Sequence, residues 1–296
     1  MSYDAKILAD SMSPAGVRLT SLQITFPRFE LPAFNTHRAF ARNSASSRAI
    51  PVDKQIQRVL ADPYVPEAFG KNQRGMQSEQ DLLDQDGARQ DWLLARDSAV
   101  FHARAQMGRE THKQIANRLL EPFMFHTVIV TATDFGNFFA LRMHKDAQAE
   151  IRKVACMMYE VMGASSPISL KEGEWHLPLV QGIDASDIVL SYDIHHAAQI
   201  SAGRCARVSY LTHDGRRDLS ADLGIVEKLG IAGHMSPFEH PARPATLEDA
   251  AEQAARLGIH GATSYDLTKV PFGNLRGWCS LRWSMPNEAV FGGGER

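Results

Sequence analysis

The sequence has 296 residues, of which 44% are hydrophobic and 22% are charged, and its formal net charge at pH 7 is -2. These values indicate a globular protein with a sizeable core, and they exclude a nucleic-acid-binding protein that depends on overall positive charge. The 3 cysteines are too few and too scattered for a disulfide framework or a cysteine zinc site. Because no apolar run approaches the ~18 residues of a membrane span and the start of the chain lacks a signal-peptide core, we expect a cytoplasmic protein without a membrane partner.

Apolar periodicity predicts the elements of the first half of the chain. Residues 18–26 alternate between apolar and polar side chains, as a half-buried strand does, and Pro27 ends the pattern. Prolines and glycines between residues 63 and 75 predict a long loop. Helical spacing of apolar residues predicts helices over residues 53–60, 79–106 and 146–162.

The second half contains fewer regular patterns. Residues 187–202 predict a helix, and residues 205–210 predict a strand. Thr246 followed by Asp249 predicts a capped helix that ends at a glycine, Gly258. We expect the glycine-rich tail to be mobile.

The predicted elements indicate the fold class. Helices outweigh strands and the strands do not alternate with helices, so we expect an α+β fold, a helix-rich single domain over residues 1–296 with a small antiparallel sheet. Within it we distinguish two parts, residues 1–163 and 183–288. No Gly-x-Gly-x-x-Gly follows a strand, so a dinucleotide would not be bound in the Rossmann manner.

The first segment with chemical potential is residues 36–48. It contains 3 arginines, 1 histidine and 3 serines, and forked guanidinium groups beside hydroxyl groups suit a phosphate. A solvated basic turn is the alternative.

The second segment is Asn-Phe-Phe-Ala-Leu-Arg, residues 137–142, followed by Ala-Gln-Ala-Glu-Ile, residues 147–151. It places an arginine, Arg142, beside the start of an amphipathic helix. On its own, such an arginine is commonly a surface residue that extends its charge into solvent.

The third segment is His-Met-Ser-Pro-Phe-Glu-His, residues 234–240, preceded by Arg-Val-Ser-Tyr at residues 207–210. Its two histidines lack the spacing of a helical zinc site, so we expect no metal. A structural turn is the alternative. A hydrolase is not expected, because Ser46 has a histidine nearby in sequence but no Gly-x-Ser-x-Gly motif is present.

The C-terminal residues 270–288 form a further candidate. Arginine and tryptophan alternate with glycine over residues 273–278, and Arg282 follows. Such residues can cover a ligand by stacking and hydrogen bonding, or pack as a terminal helix.

Together, the three segments resemble the flavin-dependent thymidylate synthases, the ThyX family. The resemblance covers residues 18–48, 118–160 and 204–240. In the usual member the Arg-Val-Ser and His-x-x-Pro-Phe-Glu-His motifs come first, so this chain looks like a circular permutation, similar to a virus-encoded, phage-like branch. It departs from the family pattern at three positions: Thr36 replaces an arginine, Ser44 an acidic residue and Asp146 a histidine.

The resemblance implies a role for each matching residue. Arg142 and Ser46 would be catalytic: Arg142 with its charge against the pyrimidine ring as the ring is attacked at C6, and Ser46 by helping to position that ring. The residues implied to bind the flavin are His37, Arg38, Asn43, Asn137, Ser209, His234, Ser236 and Glu239. The residues implied to bind the substrate nucleotide are Ser46, Ser47, Arg48, Arg118 and Arg142.

The resemblance also implies a reaction, the reductive methylation of dUMP to dTMP. Methylenetetrahydrofolate would donate the carbon, and FAD recharged by NADPH would donate the hydride. A homotetramer with shared active sites would carry the reaction, in the host cytoplasm if the protein is virus-encoded. Two alternatives stay open: C5 methylation or hydroxymethylation of another pyrimidine nucleotide such as dCMP, and a non-catalytic nucleotide-binding protein.

Overall fold

The computed structural model describes residues 2–75, 78–180, 194–208, 218–259 and 264–285, and these form a mixed α+β fold rich in helices. The strands are β1 Asp4–Met12, β2 Arg18–Pro27, β3 Ala41–Ser44, β4 Phe125–Ala132, β5 Ile168–Ser169, β6 Ala242–Pro244, β7 Pro271–Phe272, β8 Leu275–Arg276 and β9 Trp278–Ser280. The helices are α1 Leu31–Asn35, α2 Val52–Ala61, α3 Gln85–Gly108, α4 Lys113–Ala116, α5 Gly136–Arg142, α6 Ala149–Ala164, α7 Ile194–Ala206, α8 Leu219–Ile231 and α9 Leu247–Arg256.

The main sheet has the strand order β3-β4-β2-β1-β5. Its pairs are antiparallel except for the short β1–β5 pair, which is parallel. Apolar side chains of β2 and β4, such as Leu22, Ile24 and Val130, pack with Val154 and Met158 of α6 in the largest apolar cluster. The predicted small antiparallel sheet is therefore present, with one parallel strand added at its edge.

The predicted strand over residues 18–26 is confirmed, but it is not half-buried. Its polar face is covered as well, and Ser21 and Thr25 are both buried. The reason is its central position in the sheet: helix α6 covers one face, and residues from the second half of the chain contact the other.

Helix α2 confirms the helix predicted over residues 53–60. Helix α3 begins at Gln85 rather than at residue 79, because the Asp84 carboxylate caps it by accepting a hydrogen bond from the Gly87 N–H at 2.9 Å. Helix α6 begins at Ala149, three residues after the predicted start at 146.

The strand predicted over residues 205–210 is wrong in its described part, because Cys205 and Ala206 complete helix α7. Burial on several faces of α7, including Ala198, Ile200 and Cys205, leaves no clear amphipathic stripe. The helix predicted over residues 187–202 is confirmed from Ile194 onward. Residues 181–193 lie outside the described part, as do 209–217.

The capped helix predicted at Thr246 is confirmed as α9, with a reciprocal capping box between Thr246 and Asp249. The described part of the C-terminal segment, up to residue 285, forms strands β7, β8 and β9 and a short 3-10 helix over Arg282–Ser284, and no terminal α-helix. Gly277 has a φ of 66°, and a Cβ at this position would meet the Leu267 carbonyl oxygen at 2.6 Å, so the turn before β9 requires glycine. The predicted mobile tail, residues 291–296, lies outside the described residues. Among the described helices, none has the length and apolar character to cross a membrane.

Candidate active site

Two of the three motif segments meet at the β3 edge of the main sheet. Asn43 on edge strand β3 donates from Nδ2 to the Cys205 carbonyl at 2.8 Å. The Ser236 hydroxyl, in the 3-10 helix Ser236–Glu239, donates to the Asn43 Oδ1 at 3.0 Å across 193 positions of sequence. The chain therefore brings residues 36–48 and 234–240 to one place, as the permuted arrangement requires.

The second motif segment joins this edge through Arg142. Its Nε donates to the His37 Nε2 at 2.9 Å, and its Nη2 donates to the Thr36 hydroxyl at 3.3 Å. The Thr36 hydroxyl in turn donates to the Ala33 carbonyl at 2.7 Å. The threonine that replaces the family arginine thus anchors Arg142.

His37 lies among aromatic side chains and is buried. Its ring contacts Phe138 edge-on, with the ring centroids 4.9 Å apart. Burial lowers the pKa of His37, and the charges of Arg142 and Arg42 lower it further. The ring is therefore held neutral, and a neutral Nε2 can accept the hydrogen bond from Arg142.

Arg42 is a site residue to which none of the motifs assigns a role. Its Nη1 donates to the Asn35 carbonyl at 2.8 Å, and a weaker contact reaches the His37 carbonyl at 3.4 Å. Burial lowers the pKa of Arg42, while the negative charge of Glu239 acts in the opposite direction. Arg42 therefore links the loop around His37 to Glu239 electrostatically. The basic composition of residues 36–48 was the only sequence signal for it.

Glu239 forms an ion pair with Arg282, with the Oε1 and Nη1 atoms 2.5 Å apart. Both side chains line a cavity of about 240 Å³, together with Ala41 and residues 272–275. The C-terminal segment therefore contributes a wall to the site. Of the two alternatives for this segment, the terminal helix is wrong.

The serine–arginine loop, residues 46–48, is held by neighbouring structure. The Ser46 hydroxyl accepts from the Arg48 N–H at 3.3 Å and so caps the turn. Ser47 is buried and donates to the Glu121 carboxylate at 3.2 Å, and its carbonyl accepts from the Asn117 side chain at 2.7 Å. The arginine side chain of the loop, Arg48, is exposed.

The remaining residues that the resemblance assigns to the site are exposed or lie outside the described residues. Arg38, Asn137, Arg118 and His234 are exposed, and Asn137 lies in the first turn of α5. Ser209 lies outside the described residues. Within the described residues, no group of His, Cys, Asp and Glu side chains has the arrangement of a metal site.

This geometry defines an α+β protein whose site gathers arginines, a neutral histidine, amides and hydroxyls at a sheet edge, without a Rossmann phosphate loop. A family model described as "Thymidylate synthase complementing protein" matches residues 10–168, which is more than half of the chain. The chain belongs to this family, the flavin-dependent thymidylate synthase family that the motifs resemble. Membership places it among the flavin-dependent methyltransferases of pyrimidine nucleotides.

The structure is also similar to two solved structures. One is the UMP/dUMP methylase PolB from Streptomyces cacaoi with 5-Br dUMP, at 16% identity and a TM-score of 0.47, over 55% of this chain and 90% of that chain. The other is the same methylase with 5-Br UMP, at 17% identity and a TM-score of 0.47, over 55% and 89%. No curated protein sequence matches the chain.

Proposed function

We propose that the protein is a flavin-dependent thymidylate synthase, which converts dUMP to dTMP with methylenetetrahydrofolate and NADPH as co-substrates. The observation that carries this proposal is the hydrogen bond between Arg142 and His37. It joins two motif segments that both lie within the family match, and it orients a fixed positive charge toward the sheet edge.

The residues present suit FAD. The exposed guanidinium of Arg38 has no hydrogen bond or ion pair within the described part of the chain, so it is available to a diphosphate. The exposed Asn137 amide offers both a donor and an acceptor to a flavin ring. When bound, reduced FAD supplies the hydride of the reaction. The residues that would hold it are His37, Arg38, Asn43, Asn137, Ser209, His234, Ser236 and Glu239.

Arg142 would provide the electrostatic stabilisation. A guanidinium has five N–H donors, and the contacts to His37 and Thr36 use only one edge of the group. The other N–H groups can donate to a pyrimidine carbonyl, where negative charge develops as C5 becomes nucleophilic. Because His37 is neutral, it orients Arg142 without cancelling its charge.

Substrate binding is assigned to the serine–arginine loop and to Arg118. The exposed Arg48 would anchor the phosphate, while Ser46 would position the ring. Ser47 is already bonded to Glu121 inside the protein, so its contribution would be the loop conformation. We place the reaction in the cytoplasm and in a homotetramer whose subunits share each site.

The chemistry does not require a cysteine nucleophile. Burial raises the pKa of the thiols of Cys205 and Cys279. Both therefore stay protonated and weakly nucleophilic near neutral pH. This agrees with a mechanism that depends on the flavin and on Arg142.

Mass spectrometry of the products tests the proposal. Purified protein is supplied with NADPH, FAD and methylenetetrahydrofolate, and with dUMP or dCMP in separate reactions. We expect dTMP from dUMP and no product from dCMP. A methylated or hydroxymethylated cytosine product would instead support the alternative substrate. Absence of a flavin spectrum, with no gain in melting temperature on adding FAD, would support a non-catalytic protein.

A further inference from the structure

A continuous chain of buried hydrogen bonds crosses the main sheet. The Ser11 hydroxyl lies 2.9 Å from the His176 Nδ1, and the His176 Nε2 lies 2.8 Å from the Ser21 hydroxyl. The Ser21 hydroxyl lies 2.5 Å from the Thr131 hydroxyl, which lies 2.8 Å from the His240 Nδ1. All five residues are buried. We call this set the buried relay.

The buried relay ends beside the candidate site. His240 directly follows Glu239, and the 3-10 helix Ser236–Glu239 carries the hydroxyl that binds Asn43. His240 is fully buried, and its Nε2 has no hydrogen-bond partner among the described residues. The only fixed polar contact of this ring in that part of the chain is therefore the Thr131 hydroxyl.

The buried relay also joins two parts of the chain. Ser11, Ser21 and Thr131 lie within the family match at residues 10–168, whereas His176 and His240 lie beyond it. Backbone hydrogen bonds between His176 and Ala242, at 2.8 and 3.2 Å, hold the segments of the two histidines together. The second half of the chain is thus attached to the sheet at its polar face.

The number of available hydrogen-bond donors restricts the tautomers of the two histidine rings. Burial lowers the pKa of both rings to about 3, so each is neutral and carries one ring proton. Each hydroxyl has a single proton to donate. The two inner hydroxyls, those of Ser21 and Thr131, each donate within the relay. All four hydrogen bonds can then form only if the donors point the same way along it. The rings then carry their protons on the same nitrogen, Nδ1 in both or Nε2 in both.

We propose that His240 is a positioning residue for the 3-10 helix Ser236–Glu239, and that the buried relay sets its orientation and its tautomer together with those of His176. The inference about activity rests on the proposed function, but the inference about the tautomers does not. Loss of the Thr131 hydroxyl would leave His240 without its fixed contact and free the turn that carries Ser236 and Glu239. Groups that bind the flavin side would then be misplaced.

Nitrogen NMR of the histidine rings tests the tautomer coupling. The 12 histidines are ¹⁵N-labelled, and the two signals are assigned from their loss in His176→Gln and His240→Gln. We expect one shared tautomer in the unmodified protein and altered signals of both rings in Thr131→Val. Opposite tautomers, or unchanged ring signals in Thr131→Val, would overturn the proposal.

Turnover tests the positioning role. Thr131→Val should lower kcat by about tenfold to a hundredfold, because small misplacements of reacting groups have effects of that size. The matched control is Thr25→Val, since Thr25 and Thr127 form a buried hydroxyl pair at 3.0 Å between the same two strands without a histidine attached. The control should keep the original kcat.

A second variant tests the proposal if Thr131→Val fails to fold. If Thr131→Val does not fold, Ser21→Ala removes the next hydroxyl of the buried relay and should give the same two results. Folded Thr131→Val or Ser21→Ala with the kcat of the control would disprove the positioning role. If even the unmodified protein forms no dTMP, the proposed function fails, and the NMR result alone decides the tautomer coupling.

Discussion

At the scale of single residues, the pairing of His37 with Arg142 explains how a buried histidine can lie beside a cation. Such a pair would be repulsive if the imidazole were protonated. Burial and two nearby guanidinium groups lower the pKa of His37, so the ring stays neutral and accepts a hydrogen bond. The histidine then orients the arginine that we assign to transition-state stabilisation.

The first prediction concerns Arg142. Arg142→Ala should keep flavin binding and lose turnover by ~10²-fold or more, since a charge aimed at developing negative charge is removed. Steady-state kinetics and the flavin absorbance spectrum measure the two effects. Arg109→Ala is the control, because Arg109 is exposed and its guanidinium contacts only the Ala105 carbonyl among the described residues. Near-normal turnover of Arg142→Ala would refute the assigned role.

A double-mutant cycle separates His37 from Arg142. If His37 affects kcat only by orienting Arg142, then at saturating FAD the variant with both His37→Ala and Arg142→Ala should be about as slow as Arg142→Ala alone. If the two substitutions multiplied in their effect on kcat, His37 would have an independent role.

The second prediction concerns the serine–arginine loop. Arg48→Ala should weaken dUMP binding by about 1.5 to 3 kcal/mol, as expected for a charge-assisted hydrogen bond. Ser46→Ala should only slow the enzyme, because the Ser46 hydroxyl caps the turn and forms no covalent adduct. Titration calorimetry and kinetics distinguish the two variants. Two results would contradict both assignments: a completely inactive Ser46→Ala that binds dUMP normally, and an Arg48→Ala whose affinity for dUMP is unchanged.

The sequence indicates candidate site residues where a motif contains them, and it misses residues that are defined by distant contacts. The roles of the candidates stay predictions. His37, Asn43 and Arg142 were assigned from motifs, and the structure brings them to one sheet edge. Arg42 and Thr36 are placed in the site by contacts that no motif specifies: Arg42 donates to the Asn35 carbonyl, and Thr36 accepts from Arg142. Likewise, Ser21 fits the polar face of the predicted strand over residues 18–26, and no predicted element contains Thr131. Their histidine partners are over 100 residues away, so no local pattern marks the contacts.

At the scale of elements, local signals determined which predictions were correct. Helix α9 follows from its capping box, and α2 from its apolar spacing. The strand predicted at residues 205–210 was wrong in its described part, residues 205–208, because burial on several faces of α7 removes the amphipathic pattern that marks a helix. Pairing of β6 with β9 could not be predicted, because the partners are at least 34 positions apart, as in the pair Pro244↔Trp278, and no local signal selects them.

The third prediction tests the cap of α9. Thr246→Ala should lower the free energy of unfolding by about 1 kcal/mol, since it removes an N-cap hydroxyl that accepts from the Asp249 N–H at 3.1 Å. Burial alone would raise the pKa of Asp249, but hydrogen bonds from Arg243 and Thr246 lower it to about 2. Urea unfolding measures the change in the free energy of unfolding. Thr246→Ser keeps the hydroxyl and is the control, so equal losses in both variants would contradict the capping role.

At the scale of the whole molecule, the site depends on both halves of the chain. The family match ends at residue 168, whereas Ser236, Glu239 and Arg282 lie beyond it. The matched half supplies most of the sheet and the Arg142 helix, and the other half supplies the 3-10 helix Ser236–Glu239 and the Glu239–Arg282 ion pair that lines the cavity. Convergence of these segments was expected from the permuted motif order; the permutation itself stays a prediction.

The fourth prediction concerns acid stability. Burial lowers the pKa of His126, His176 and His240 from 6.5 to about 3, with the charge of Arg28 adding to the effect at His126. Below pH 6.5 the unfolded chain therefore binds protons that the folded protein does not. Stability should fall as the pH falls, by about 1.4 kcal/mol per pH unit for each histidine.

Glu30 acts with the opposite sign. Burial and the charge of Glu150 raise its pKa from 4.5 to about 7, so the folded protein gains a proton first as the pH falls. The three histidines should outweigh this one group. Urea unfolding between about pH 7.5 and pH 5 should show a declining free energy of unfolding, and His126→Gln should reduce the slope. Constant or rising stability toward low pH would contradict the neutral buried histidines.

We propose that the two halves of this chain together build a flavin-dependent thymidylate synthase site. A single-turnover reaction tests it most directly: protein with bound FAD is reduced by NADPH without oxygen, then mixed with labelled dUMP and methylenetetrahydrofolate, and the nucleotide is analysed by mass spectrometry. We expect labelled dTMP from the unmodified protein and almost none from Arg142→Ala. Protein that binds and reduces FAD but returns the labelled dUMP unchanged would contradict it.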